Sequence, residues 1–179
     1  MTQKIKLLIV DDEIKFLDSI GKRLELRDFD VTKASSGNAA VEAARTGKFD
    51  LALLDLKMPG MDGREVLEVL KQEHQFLEVI ILTGHGSIDS AVECTKLGAY
   101  GYLSKPYELE KLLEVLKDAY EARLRKKFSS DQKRMEQIEE AADQWDPTAV
   151  MGRLREQMKE KPTLLSVLRQ LRKLDDERK

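Results

Sequence analysis

The chain of 179 residues contains a single cysteine, so no internal disulfide can form and a disulfide scaffold is excluded. Cys94 stands in a helical pattern between Val92 and Leu97 and reads as a small buried side chain rather than a reactive thiol. Only four prolines interrupt the chain, which suits a helix-rich globular protein. No apolar run reaches the length of a membrane span. The apolar start at Ile5–Val10 is too short for a secretory leader and runs directly into acids. The expectation is a soluble, cytoplasmic protein without a membrane partner. There is no excess of one charge either. The formal net charge is −2 and the pI about 5.9, which gives no global reason to expect nucleic acid. The length allows one full domain and an appendage.

What the chain does have is alternation. Residues 5–10, about 29–34, 50–55, 78–83 and 100–104 read as strands. Several are apolar at successive positions, as expected when helices cover both faces of a sheet. Helical windows lie near 14–27, 37–46, 63–74 and 87–98, with another from 108. Gly37 and Gly63 stand at helix starts and Gly47 at a helix stop. Five successive βα units predict a parallel sheet with right-handed crossovers. Beyond residue 107, an apolar stripe through Leu116, Tyr120, Leu124, Phe128, Met135 and Ile138 follows helical spacing, with a miss at Asp131. It fits one long helix, or a new helix begun by a capping box at Ser129 and Gln132. Asp146-Pro147 reads as a further helix start and Lys161-Pro162 as another boundary. A short heptad stripe then follows through Leu164, Val167, Leu171 and Leu174.

Polar groups follow four of the apolar runs. Asp11-Asp12 follow Leu7–Val10, Asp55 follows Leu51–Leu54, Thr83 ends Val79–Leu82, and Lys105-Pro106 follow Tyr100–Leu103. In a parallel sheet the ligand site lies outside the carboxyl ends of the strands. Three clustered carboxylates raise one another's proton affinity unless a cation offsets them. Oxygen donors of this kind suit Mg²⁺ or Mn²⁺ rather than zinc. A carboxylate held there can also act as a nucleophile and form an acyl phosphate, with Lys105 and Thr83 available to a phosphoryl oxygen.

Asp11-Asp12, Asp55 with Met58-Pro59-Gly60-Met61-Asp62-Gly63, Thr83 and Lys105-Pro106 together resemble the receiver domain of bacterial two-component response regulators (CheY-like), over about residues 4–125. The resemblance implies a flavodoxin-like, doubly wound five-stranded α/β sheet of order 2-1-3-4-5 with an α-helical C-terminal extension. The receiver would span 1–127 and the extension 128–179, continuous with the last receiver helix in one reading. Asp55 would be the phosphoacceptor, taking a phosphoryl group from a histidine kinase or phosphotransfer protein. Asp12, Asp55 and the backbone carbonyl of Lys57 would ligate Mg²⁺, with Asp11 acting through a metal-bound water. Lys105 would pair with the phosphoryl group, and the bond before Pro106 would be cis. Thr83 and Tyr102 would form the switch pair that alters the face made by the fourth helix, fifth strand and fifth helix. Such a protein catalyses only its own phosphotransfer and dephosphorylation. Lys57 and His85 would flank the path of the hydrolytic water.

Each residue also has a plainer reading. Asp11 or Asp12 would merely cap the first helix, Lys105 would be a solvated lysine, Thr83 a strand-end hydroxyl, Tyr102 core packing, His85 a loop histidine and His74 a surface residue. An aspartyl-phosphate phosphohydrolase would use the same nucleophile. It normally needs a second acid two residues later, where this chain has Lys57. The output is the open point. Residues 128–179 carry as many acids as bases, and the Arg169, Arg172 and Lys173 cluster reads as a solvated helix face. The favoured expectation is an output through a downstream protein partner, with a homodimer through the last receiver helix and tail as one arrangement. A DNA-binding regulator acting through the C-terminal helices is the alternative.

Overall fold

A computed structural model of the chain describes residues 4–84 and 87–143. Five strands and five helices alternate: β1 (Ile5–Val10), α1 (Ile14–Glu25), β2 (Phe29–Ala34), α2 (Gly37–Thr46), β3 (Leu51–Leu54), α3 (Gly63–Glu73), β4 (Glu78–Thr83), α4 (Ile88–Lys96), β5 (Gly101–Ser104) and α5 (Leu109–Asp143). All four strand pairings are parallel, and the order is β2-β1-β3-β4-β5. The expected architecture is therefore present.

The unbroken apolar runs are explained by two cores. Leu8, Val10, Ala52, Leu54, Val79 and Ile81 face α2, α3 and α4. Leu7, Ile9, Leu51, Leu53, Ile80 and Leu82 face α1 and α5. Successive strand residues thus point to opposite layers, and both layers are buried. Cys94 is fully buried in the first core, and that burial pushes its thiol above the ordinary range. The expectation of an inert packing residue agrees with this.

Local signals fix the helix ends. Ser36 and Ser87 accept N–H bonds at the starts of α2 and α4. Asp62 and Glu65 form a reciprocal capping box on α3. Pro59-Gly60 turns the chain after β3, with Gly60 at φ +81, a conformation glycine adopts without Cβ strain.

His74 departs from its expected surface setting. It caps the end of α3 half-buried, and its Nε2 is buried with no hydrogen-bond partner among the described residues. The physical reason is that the short turn into β4 folds back, with Leu77 N–H donating to the His74 carbonyl.

The chain divides into two compact units, Met1–Ser130 and Asp131–Lys179. Helix α5 runs unbroken through Ser129 to Asp143, so no new helix begins at Ser129. In the first part of α5, Leu112, Leu116 and Ala119 are buried. Leu124, Phe128, Met135 and Ile138 are exposed in this chain. The Asp146-Pro147 and Lys161-Pro162 boundaries and the later heptad stripe lie outside the described residues, as does His85.

One charge is buried at the start of β4. Glu78 is 1% exposed. Lys126 of α5 donates to its Oε1, and Lys71 of α3 lies 3.6 Å from Oε2. At that distance Oε2 has no hydrogen-bond partner of normal length among the described residues, and Lys71 acts on it chiefly as a charge. Burial lowers the Lys71 proton affinity and Glu78 partly restores it. Because the Lys126 side chain is half in solvent, with 56% exposure, Lys126→Ala is expected to cost only about 1 kcal/mol in urea unfolding.

Candidate functional site

The register of the sheet builds the site. Val10 pairs with Leu54, and Leu54 with Ile81. Asp11 and Asp55 each follow a paired residue on adjacent central strands, so they emerge side by side. Thr83 pairs with Ser104, and Lys105 comes next. All four polar features therefore reach one edge, where the strand order reverses between β1 and β3. Backbone bonds fix the exits: Asp55 N–H donates to the Val10 carbonyl at 2.9 Å, and Lys105 N–H to the Thr83 carbonyl at 2.9 Å.

Asp11, Asp12 and Asp55 each offer a carboxylate oxygen within 4.8 Å of the others. Asp11 and Asp55 are buried, at 2% and 6% exposure, whereas Asp12 is exposed. The two oxygens of Asp11 are both engaged. Oδ1 accepts the Glu13 N–H at 2.9 Å, and Oδ2 lies 2.5 Å from Lys105 Nζ. Glu13 is itself the N-cap of α1 and makes no side-chain capping bond. The plain helix-capping reading of Asp11 therefore does not describe it. Burial raises the proton affinity of Asp55, and the neighbouring Asp11 adds to this. The Thr83 hydroxyl, Lys105 and the Lys57 backbone act in the opposite sense. The result is a carboxylate held above the ordinary range at the centre of the cluster. Oxygen donors in this arrangement suit a small hard divalent ion.

Lys105 is only partly exposed. Its ammonium lies 3.8 Å from the centroid of the Phe16 ring, and its side chain is 21% exposed. The Lys105-Pro106 bond is cis. Thr83 is fully buried and reaches the Asp55 carboxylate through its side chain. Tyr102 packs partly buried against the first core. Its hydroxyl is buried with no hydrogen-bond partner among the described residues. The Lys57 side chain points to solvent.

Three features escape a reading of the sequence alone. Phe16 resembles one more apolar residue of α1, and only the fold brings its ring onto Lys105. Arg64 on α3 hydrogen-bonds Ser90 at 3.1 Å and pairs with Glu93 at 3.2 Å, joining α3 to α4 beside the site. Gly63 packs so close to the Asp55 backbone that a Cβ would lie 2.2 Å from its carbonyl oxygen. The motif flags that glycine, but not the reason for it.

The family of response regulator receiver domains matches residues 7–117. The transcriptional regulatory protein FixJ of Bradyrhizobium diazoefficiens is 34% identical over 119 residues, covering 66% of this chain and 58% of that protein. A putative NtrX-like response regulator of Rickettsia bellii is 36% identical over 131 residues, covering 72% of this chain and 27% of the relative. The chain thus spans well under two thirds of these relatives. Among solved structures, a CheY-like receiver domain protein of Methanospirillum hungatei superposes with a TM-score of 0.67 at 31% identity, covering 69% of this chain and 98% of that one. A match that runs from β1 into α5, on a sheet of this order, makes the chain a member of the response regulator receiver domain family.

Proposed function

We propose that the chain is a phosphoacceptor in a two-component relay, with Asp55 as the acceptor. The observation that carries this reading is the buried Asp55 carboxylate, clustered with Asp11 and Asp12 within 4.8 Å. An Asp55 oxygen attacks the phosphorus of a phosphohistidine on a histidine kinase or phosphotransfer protein. The P–N bond breaks, and the leaving imidazole takes a proton from solvent. Asp12, Asp55 and the Lys57 carbonyl would hold Mg²⁺ or Mn²⁺, which when bound screens the carboxylates and the transferred phosphoryl charge. Asp11 suits an outer role through a metal-bound water, since both its oxygens already have partners. Lys105 transfers its ammonium from Asp11 to a phosphoryl oxygen, and the Thr83 hydroxyl donates to another.

The test is incorporation of one phosphoryl group per chain from acetyl phosphate in the presence of Mg²⁺. Incorporation that persists after chelation of divalent ions overturns the reading. In the same preparation, Mg²⁺ at roughly a hundred times its Kd is expected to raise the melting temperature by about 5 °C or more, read by differential scanning calorimetry. Phe16→Leu removes the ring that steadies Lys105, and is expected to slow incorporation about threefold, the equivalent of one weak cation–π contact.

The output acts through the face of α4, β5 and α5. Ile88 and Val92 on α4 and Tyr100 before β5 are exposed there, at 84%, 48% and 38%. Rearrangement of Thr83 and Tyr102 beneath that face would change what a downstream protein partner meets. The receiver would occupy 1–127, with the part of the proposed 128–179 extension beyond residue 143 lying outside the described residues; a homodimer through α5 is compatible with the exposed apolar residues Leu124, Phe128, Met135 and Ile138. A second reading, a DNA-binding regulator, draws support from relatives named as transcriptional regulators. Salt-dependent binding of duplex DNA by the full chain would favour it.

A further inference from the structure

At the amino ends of β1 and β3, the edge of the sheet away from Asp55, a pocket of about 330 Å³ opens. That volume sits at the lower end of small-ligand sites, roughly 300–1,000 Å³. Lys4 and Lys6 line it from the start of β1, Lys48 from the turn before β3, and Arg123 and Lys127 from α5. Asp50 is the single acid among the lining residues, and both its oxygens are engaged. One lies 2.7 Å from Arg123, and the other accepts the Lys6 backbone N–H at 2.9 Å.

The lysines have no such partner. None of Lys4, Lys6, Lys48 and Lys127 pairs with a carboxylate among the described residues. Arg123 adds an unmet donor, since its Nε is buried without a hydrogen-bond partner among the described residues. A chain with a formal net charge of −2 thus gathers mutually repelling cations around one concavity whose only acid is already neutralised. Like charges held together in this way create a local positive potential that a multivalent anion relieves. Half-buried Phe49 and Tyr120 complete the wall with ring surface.

We propose that this pocket binds a small oligophosphate, the class that includes nucleoside polyphosphates. Closely spaced phosphate charges match several ammonium groups converging on a small volume, and each lysine serves as a point-charge donor to phosphate oxygen. A single carboxylate would leave most of these cations unmatched. A duplex or a membrane surface would not fill a pocket of this size. The rings offer a place for a base.

The experiment is calorimetric titration of the full chain, without divalent ions, with sodium tripolyphosphate, ATP and adenosine. Tripolyphosphate is expected to bind saturably at one site, more weakly as sodium chloride rises, and adenosine not to bind. Tighter binding of ATP than of tripolyphosphate assigns the rings to a base, and equal binding assigns the site to inorganic oligophosphate; both support the proposal. Charge reversal by Lys6→Glu with Lys48→Glu is expected to weaken tripolyphosphate binding by about tenfold or more, whereas Lys111→Glu elsewhere on α5 leaves it unchanged. Both reversed lysines are exposed, and unchanged melting temperatures verify that the variants fold. Asp55→Asn leaves the affinity unaltered, so this outcome is separate from that of the phosphoacceptor reading. Absence of saturable binding overturns the proposal, and so does an equal loss in Lys111→Glu. Preferential binding of a short DNA duplex through the same lysines also overturns it, in favour of a nucleic-acid surface.

Discussion

Asp55→Asn is expected to abolish acyl-phosphate formation, on the proposed role of Asp55, and to leave a protein that melts higher than the parent. The first effect follows from loss of the attacking oxygen. An amide is no nucleophile towards phosphorus, and incorporation from acetyl phosphate is expected to fall by about 100-fold or more. The second follows from the setting of the carboxylate. Burial and the adjacent Asp11 both disfavour the ionised form of Asp55, and its proton affinity in the folded chain is raised. The folded chain therefore binds more protons than the unfolded chain from the ordinary value of 3.8 up to the raised one. Across that window stability falls as the pH rises. The full cost is present above the window and absent below 3.8. Asn carries no charge, so the variant lacks this loss. Its melting temperature near neutral pH is expected to rise by about 2–4 °C, the shift of roughly 1 kcal/mol in a chain of this size. The difference between the two proteins should shrink as the solution is acidified. A variant that melts lower at neutral pH, or a difference that grows in acid, would contradict the assigned environment.

Gly63→Ala is expected to be the most damaging single methyl group in the described structure. The added Cβ would lie 2.2 Å from the Asp55 carbonyl oxygen and 2.6 Å from Leu56 Cα. Both are backbone atoms, and no side chain can swing away to make room. The start of α3 would have to withdraw from the end of β3, straining the Gly63 N–H bond to the Leu56 carbonyl at 2.9 Å. An overpacked contact of this kind costs about 3 kcal/mol or more, and displacement of Asp55 should depress phosphoryl incorporation as well. Gly60→Ala provides the contrast. Its Cβ would meet nothing within 4 Å, and only its φ of +81 opposes the change. That variant is expected to lose about 1 kcal/mol. Equal losses at the two positions in denaturant unfolding would show that close approach is not what distinguishes Gly63.

Much of the fold can be read along the chain because the sheet is covered on both sides. Burial of Leu7 to Val10 and of Val79 to Leu82 on alternating faces leaves unbroken apolar runs, which mark the strands and place the acids at their exits. Helix starts were equally legible at Gly37 and Gly63, although the caps that fix them, Ser36 and Asp62, emerge only in the fold. The ambiguity at Ser129 has a physical origin. A serine followed by Gln132 carries the chemistry of a helix start, and Asp131 interrupts the stripe, yet nothing there prevents α5 from continuing. Long-range contacts were the part that local patterns do not encode. Nothing along the chain marks Glu78 as the buried acid that Lys71 and Lys126, from two different helices, close over. Phe16 resembles core packing until β5 delivers Lys105 onto its ring. His74 resembles a surface residue because its burial depends on the path of the turn that follows.

The contact between Lys105 and Asp11 gives this protein a built-in stand-in for a divalent cation. An apo form need not suffer the full repulsion of its own acidic edge, since an ammonium carried just beyond β5 already dampens it. If a divalent ion sits at this edge as proposed, its removal should silence the proposed chemistry long before it endangers the architecture.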